Sequence, residues 1–156
     1  MSDISAFNPD SFLEATMSAP SERRSPLPEG TYTAVCGAVS TRSGVSTKDP
    51  SNPKPWLSYE IPLSIDVPAE LQSGMNLPPT LTVRHQIFAD LTPQNTLDES
   101  KGRNNGIRLL REALDLNKPG DTFSFKMVEG RVLKASVKHE LYNGNIQERV
   151  SGVIKA

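Results

Sequence analysis

Asn104-Asn105-Gly106-Ile107-Arg108-Leu109-Leu110-Arg111-Glu112-Ala113-Leu114-Asp115-Leu116 carries the one convincing helical period in this chain. Its place among strands decides the fold. Ile107, Leu110 and Leu114 fall at i, i+3 and i+7, and Ala113 widens the stripe, so one face is apolar. Asn104 or Asn105 can cap the start, and Asn117 followed by Pro119-Gly120 ends it.

Working outward, the segments on both sides read as strands. Thr31–Val39 is rich in β-formers, and Gly37 within it predicts a bulge or sharp bend. Trp56–Ile65 alternates. Leu57, Tyr59, Ile61, Leu63 and Ile65 face one way, and Trp56, Ser58, Glu60 and Pro62 face the other. Pro62 has no amide hydrogen, so its ladder position must be unpaired or bulged. Thr80–Phe88 places Leu81, Val83, His85 and Ile87 inward and Thr82, Arg84, Gln86 and Phe88 outward. After the helix, Arg131–Leu141 turns Leu133, Ala135 and Val137 inward and Lys134, Ser136 and Lys138 outward. Asn143-Gly144 suits a type I′ turn. Ile146–Ile154 closes the set, with Val150 and Ile154 inward and Gln147, Arg149 and Ser151 outward. Residues 121–129 fit either a strand, through alternating Phe123, Phe125 and Met127, or a short helical turn. Ser40–Pro55 reads as a long polar loop, and loops of that length are often functional. The expected fold is mainly β: a five-stranded OB-fold-like barrel with one helix between strands three and four. Such barrels bind oligonucleotides across strands two and three and the neighbouring loops.

Composition bounds the rest. The 156 residues favour one domain, and the 36% apolar share with 13 prolines predicts extensive loops. Residues 1–26 read as an N-terminal extension and 27–156 as the domain. Within the extension, Asn8 can cap a short helix that has Pro9 in its first turn, and Ser18–Pro28 reads as linker. One cysteine, Cys36, excludes an internal disulfide and argues against a thiolate zinc site. No apolar run approaches the ~20 residues that cross a bilayer, and no signal peptide opens the chain. The reading is a soluble intracellular protein with no membrane partner. Net charge is −1, distributed unevenly: residues 1–30 hold five acids and two bases, whereas five bases face two acids from Arg131 onward.

Two stretches resemble a family of phage-encoded single-stranded DNA-binding proteins, long filed as a domain of unknown function. One is Leu27-Pro28-Glu29-Gly30-Thr31-Tyr32. The other is Val137-Lys138-His139-Glu140-Leu141-Tyr142-Asn143-Gly144, with Glu148-Arg149-Val150-Ser151-Gly152 in the next strand. The resemblance spans about residues 27–155. It implies an OB-type fold, sequence-tolerant binding of single-stranded DNA, and a role in phage replication or recombination in the host cytoplasm, beside other replication or recombination proteins. Many single-strand binders end in an acidic tail; here the acids lie at the other end of the sequence.

Single strands are held by cations along the phosphates and aromatics under the bases. Outward parity supplies Trp56, Arg84, Phe88, Lys134, Lys138, Tyr142 and Arg149, and the 40–55 loop adds Arg42, Lys48 and Lys54. His85 and His139, at inward parity, read as hydrogen-bonded structural residues. No P-loop, nucleophile elbow or His-Glu-x-x-His occurs, and no metal spacing, so an enzyme, a cofactor and a metal are not expected. Two readings compete. A strand binder requires Trp56 and Phe88 exposed among cations. A protein-interaction or structural module, such as a virion component or replisome adaptor, requires them buried or on an uncharged apolar patch. A strand-one edge could also pair with a second copy, although nothing in the sequence demands a homo-oligomer.

Overall fold

The computed structural model describes residues 7–156. Six strands and two α-helices follow one another: β1 (Gly30–Cys36), β2 (Ser40–Ser46), β3 (Lys54–Asp66), α1 (Ala69–Gly74), β4 (Thr80–Phe88), α2 (Asn105–Ala113), β5 (Val132–Tyr142) and β6 (Asn145–Lys155). The strands form one antiparallel sheet, ordered β2-β3-β1-β5-β6, with β4 on the second edge of β3.

Strand β2 occupies the first half of the stretch expected to be loop. Its sequence, Ser-Thr-Arg-Ser-Gly-Val-Ser, has almost no apolar alternation, so its extended state comes from the ladder with β3 rather than from its own pattern. β1 and β2 pair with the same edge of β3: Ala34–Cys36 against Leu63–Ile65, then Ser40–Ser46 against Lys54–Glu60. They are two halves of one strand broken at Gly37. There the Gly37 amide donates to the Pro62 carbonyl at 2.7 Å. A Cβ on Gly37 would stand 2.9 Å from Pro62 Cγ, so the bend needs glycine. The proline without a donor sits where the partner strand breaks.

The core is the inner face of this sheet capped by α2. Ile61, Leu63 and Ile65 of β3, Leu133, Ala135 and Val137 of β5, and Leu27 ahead of β1 are fully buried. α2 buries Ile107, Leu110 and Ala113 against β4 and β6. Gly106 allows the close approach, since a Cβ there would lie 2.8 Å from Ile87 Cγ2. β4 and β6 run close to each other, but no backbone ladder joins them. The sheet is therefore not closed into the expected barrel, and α2 packs on both unjoined strands.

Asn104 takes the N-cap position in a left-handed conformation without capping the helix. Its side chain instead accepts from the Asp90 amide at 2.7 Å and donates to the Asp98 carbonyl, which ties down the preceding loop. Residues 125–127 form a 3₁₀ turn, which settles the open reading of that stretch. The turn lays Phe125 flat on Tyr59, with ring centroids 3.7 Å apart. The 67–79 connection contains the short α1.

In β6 the expected facing is wrong past Ser151. Ser136 pairs with Gly152 and Val137 with Val150, so Ser151 is an extra residue in β6. One inserted residue reverses the alternation. Val153 is consequently buried and Ile154 exposed. Upstream, Asn8 accepts from the Asp10 amide and caps a 3₁₀ turn over Pro9–Leu13, and every residue from Phe7 to Ser25 is exposed.

Candidate nucleic-acid interface

The outer face of β2, β3 and β4 brings together five of the ten residues picked from the sequence. Arg42, Ser58 and Phe88 stand in one row across the three strands; Gly44 is opposite Trp56, and Pro62 opposite Arg84. The Trp56 indole lies over Gly44: a Cβ there would meet Nε1 at 2.7 Å, so only glycine leaves room for the ring. Trp56 and Phe88 form a tilted pair, centroids 6.1 Å apart and planes at 56°. Phe88 is 62% exposed and Trp56 half-buried. Lys54 follows on the same face at the start of β3, and Lys48 lies exposed in the adjoining loop.

Glu60 organises the cations of this face. Its carboxylate, 14% exposed, sits 3.5 Å from Arg42 Nη1 and 3.8 Å from Arg84 Nη1. One acid between two bases leaves a surplus positive charge, and both guanidinium groups stay largely exposed to solvent. Beneath them the buried Ser58 hydroxyl accepts from Gln86 Nε2 at 3.2 Å. Glu60 and Gln86 have outward parity, so this supporting pair was legible. Gly44 was not, because its role depends on β2 being a strand.

Lys134, Lys138, Tyr142 and Arg149 form a second group, which the structure does not join to the first. Val132 is level with Val35, and Val35 with Ser64, so β5 reaches past the end of β3. Lys134 is level with that end, while Lys138, Tyr142 and Arg149 lie beyond it. Trp56 and Phe88 are at the opposite end of β3. A single face containing all ten residues is corrected to two groups. The ladder between β1 and β5 stops at Gly30 and Val137, so the turn-proximal half of the β5–β6 hairpin projects as a two-stranded ribbon. There Lys138 faces Arg149 directly, a like-charge pair with no carboxylate partner among the described ion pairs.

The stretches that carried the family resemblance meet at the base of this ribbon. Glu148 accepts from the Leu27 amide at 2.9 Å and pairs with Arg24. His139 donates from Nε2 to the Leu27 carbonyl at 2.7 Å, and the His139 amide donates to Glu29 at 3.0 Å. Tyr32 donates its hydroxyl to the Pro28 carbonyl at 2.6 Å. Together they clasp the incoming chain and drive Leu27 into the core. Burial opposes ionisation of Glu148, but the hydrogen bonds from Arg24 and Leu27 outweigh it and hold its carboxyl below the usual range. His139 is thus a hydrogen-bonded structural residue. His85 departs from that expectation: it points inward, its buried Nδ1 has no partner, and burial pushes its pKa down.

Among the described residues no group of three or more His, Cys, Asp or Glu side chains could hold a metal. Cys36 is buried, and burial raises its thiol to about 11, so it is not a ready nucleophile. No described helix is long and apolar enough to cross a membrane. The fold and the face together define a mainly β protein presenting an aromatic pair among exposed cations. No protein-family model matches the chain, and no curated protein does.

Proposed function

We propose that this chain is a non-catalytic, sequence-tolerant single-stranded DNA-binding protein on an OB-type framework, acting in phage DNA replication or recombination in the host cytoplasm. The observation that carries the reading is the Trp56–Phe88 pair, Phe88 exposed and Trp56 half-buried, on the same face as Arg42, Lys54 and Arg84. Aromatic faces accept any base, and a stacked base contributes about 1–3 kcal/mol. The cations supply phosphate contacts without reading sequence. The strand order β4-β3-β1-β5-β6, with the helix between β4 and β5, supports the OB-type framework. The resemblance in the Leu27–Tyr32 and Val137–Gly152 stretches supports the phage context.

The near-neutral charge sets the strength. With three or four phosphate contacts, the slope of log affinity against log salt should be about −2 to −3, shallow beside strongly basic proteins. The test is an anisotropy titration of labelled oligothymidine at low and moderate salt, with duplex as control, while following intrinsic fluorescence. Trp56 is the only tryptophan, so quenching reports on this face alone. Salt-sensitive binding of the single strand with quenching is the expected result. No binding at micromolar protein in low salt overturns the reading and favours the interaction-module alternative.

A further inference from the structure

The connection between β4 and α2 carries cations that the Trp56–Phe88 face does not use. It is long for a loop, and it is held by its own bonds. Leu91 bridges Leu97, the Asn95 amide donates to the Thr92 carbonyl at 2.9 Å, and Asn104 closes the loop onto Asp90. Two cavities flank it. One, of about 680 Å³, lies between the turn before β3 and this loop. Lys54 and Asp90 line it, two residues before Trp56 and two after Phe88. The Ala89 amide still donates to the Leu57 carbonyl at 2.9 Å, so this cavity opens where the β3–β4 ladder ends. The other, of about 620 Å³, lies between the loop, α2 and the chain around Phe123. Both are of ligand-binding size. Asp98 and Arg103 line both cavities, so the two adjoin there and lead from the aromatic end of β3 to α2.

This cleft holds five bases and four acids, and the two signs are engaged differently. Asp90 accepts from the Asn104 amide at 2.7 Å, Asp98 from the Ser100 amide at 3.0 Å, and Asp121 from the Lys118 amide at 2.8 Å. Those carboxylates hold the loops. Arg108 is engaged with Glu112 at 3.0 Å. Lys101 has no acid partner among the described ion pairs. Arg103 stands 3.9 Å from Asp98, an exposed pair of small worth. Arg111 donates from Nε to the Leu116 carbonyl at 3.0 Å and lies 5.2 Å over the Phe123 ring, which leaves its outer nitrogens for an anion.

We propose that a bound single strand leaves the sheet at Lys54 and runs through this cleft, with its phosphates on Arg103, Lys101 and Arg111. The inference rests on the strand-binding reading and extends its site beyond the sheet. Continuity with the aromatic pair, and cations in series, suit a flexible polyanion rather than a compact one. The aromatic pair takes the first bases, and the loop and α2 take the backbone that follows. Single OB domains cover about 4–16 nucleotides. The cleft puts this protein toward the long end and makes both affinity and salt slope depend on strand length.

The test is anisotropy titration of the full chain with labelled oligothymidine of about five and about fifteen nucleotides, near the two ends of that range. Lys101→Ala with Arg103→Ala should weaken the long strand at least tenfold and the short one less than about twofold. The salt slope of the long strand should become shallower by about 1.4, since each single-strand phosphate contact contributes about 0.7. Glu99→Lys puts a base in the cleft in place of an exposed acid and should tighten the long strand alone. Lys126→Ala with Lys155→Ala removes the same charge outside the cleft and should act on both lengths alike. All five residues are exposed, and circular dichroism checks that each variant folds. Equal losses for both lengths in the Lys101 and Arg103 variant, or a long strand that neither cleft variant changes, overturns the inference and leaves the face reading standing. Binding of neither length by the wild type overturns that reading itself, and the inference with it.

Discussion

The outer face of β2–β4 and the β5–β6 ribbon carry the same residue types and differ in how they hold them. On the face, two arginines flank one carboxylate and the aromatics pair across neighbouring strands. The ring of Trp56 rests on backbone, so its position is fixed before any ligand arrives. On the ribbon, two cations stand opposed with no acid partner among the described ion pairs, and Tyr142 stands 62% exposed beside the turn. Aromatics and cations make a binding surface when the sheet beneath fixes their spacing, because the ordering cost is then met during folding. The ribbon lacks that support; its best-ordered contacts, at Glu148 and His139, secure the chain rather than present it to solvent.

The sharpest way to break the contrast is to remove the ribbon's clasp. Glu148→Ala leaves the Leu27 amide and Arg24 without their acceptor. It should cost about 1.5–3 kcal/mol of stability, read as a lowered urea midpoint, with strand affinity of the folded protein unchanged. A loss of affinity without a loss of stability would move Glu148 from the framework to the site.

Trp56→Ala comes next. It should weaken oligothymidine binding by about 1–3 kcal/mol, five-fold to more than a hundred-fold, with the urea midpoint nearly constant. Tyr142→Ala, matched in chemistry but placed on the ribbon, should change binding less than three-fold. Equal effects from the two would erase the distinction between the regions.

The inward His85 separates the regions by pH. In the unfolded chain its imidazole takes up a proton near the ordinary value of 6.5, whereas burial holds the folded value lower. The folded state thus binds fewer protons below pH 6.5, and stability present above that value is lost as pH falls through it. Glu148, depressed in the folded state, adds a further loss only at lower pH, as the pH passes through its folded value. Thermal melts from pH 8 to 5 should decline through the histidine range, and His85→Leu should flatten that decline. A wild-type midpoint constant over this range would contradict the burial of Nδ1 without a partner.

Lys138→Ala should give the smallest change. Directly opposed like charges are unfavourable by roughly 0.2–1 kcal/mol, so removing one should leave stability equal or slightly higher. Strand affinity should fall by less than the single phosphate contact expected of Arg42 or Arg84. A drop as large as that of Arg84→Ala would place the ribbon in the binding surface.

The local periods of this sequence determined a great deal. They give the parity of β3, β4 and β5, the apolar stripe of α2, the bend at Gly37 and the Asn143-Gly144 turn, because each depends on neighbours a few residues away. They also placed Trp56, Arg84 and Phe88 on one face. Only the tertiary structure decided that Ser40–Ser46 is a strand, that Gly44 seats the indole, and that Ser151 turns Ile154 outward. It also divided the ten cations and aromatics into two groups and turned Leu27, His139 and Glu148 into a clasp. These outcomes rest on register between strands far apart in sequence. A period of two fixes which side a residue faces, but not which distant residue stands opposite, and a single inserted residue reverses even the side.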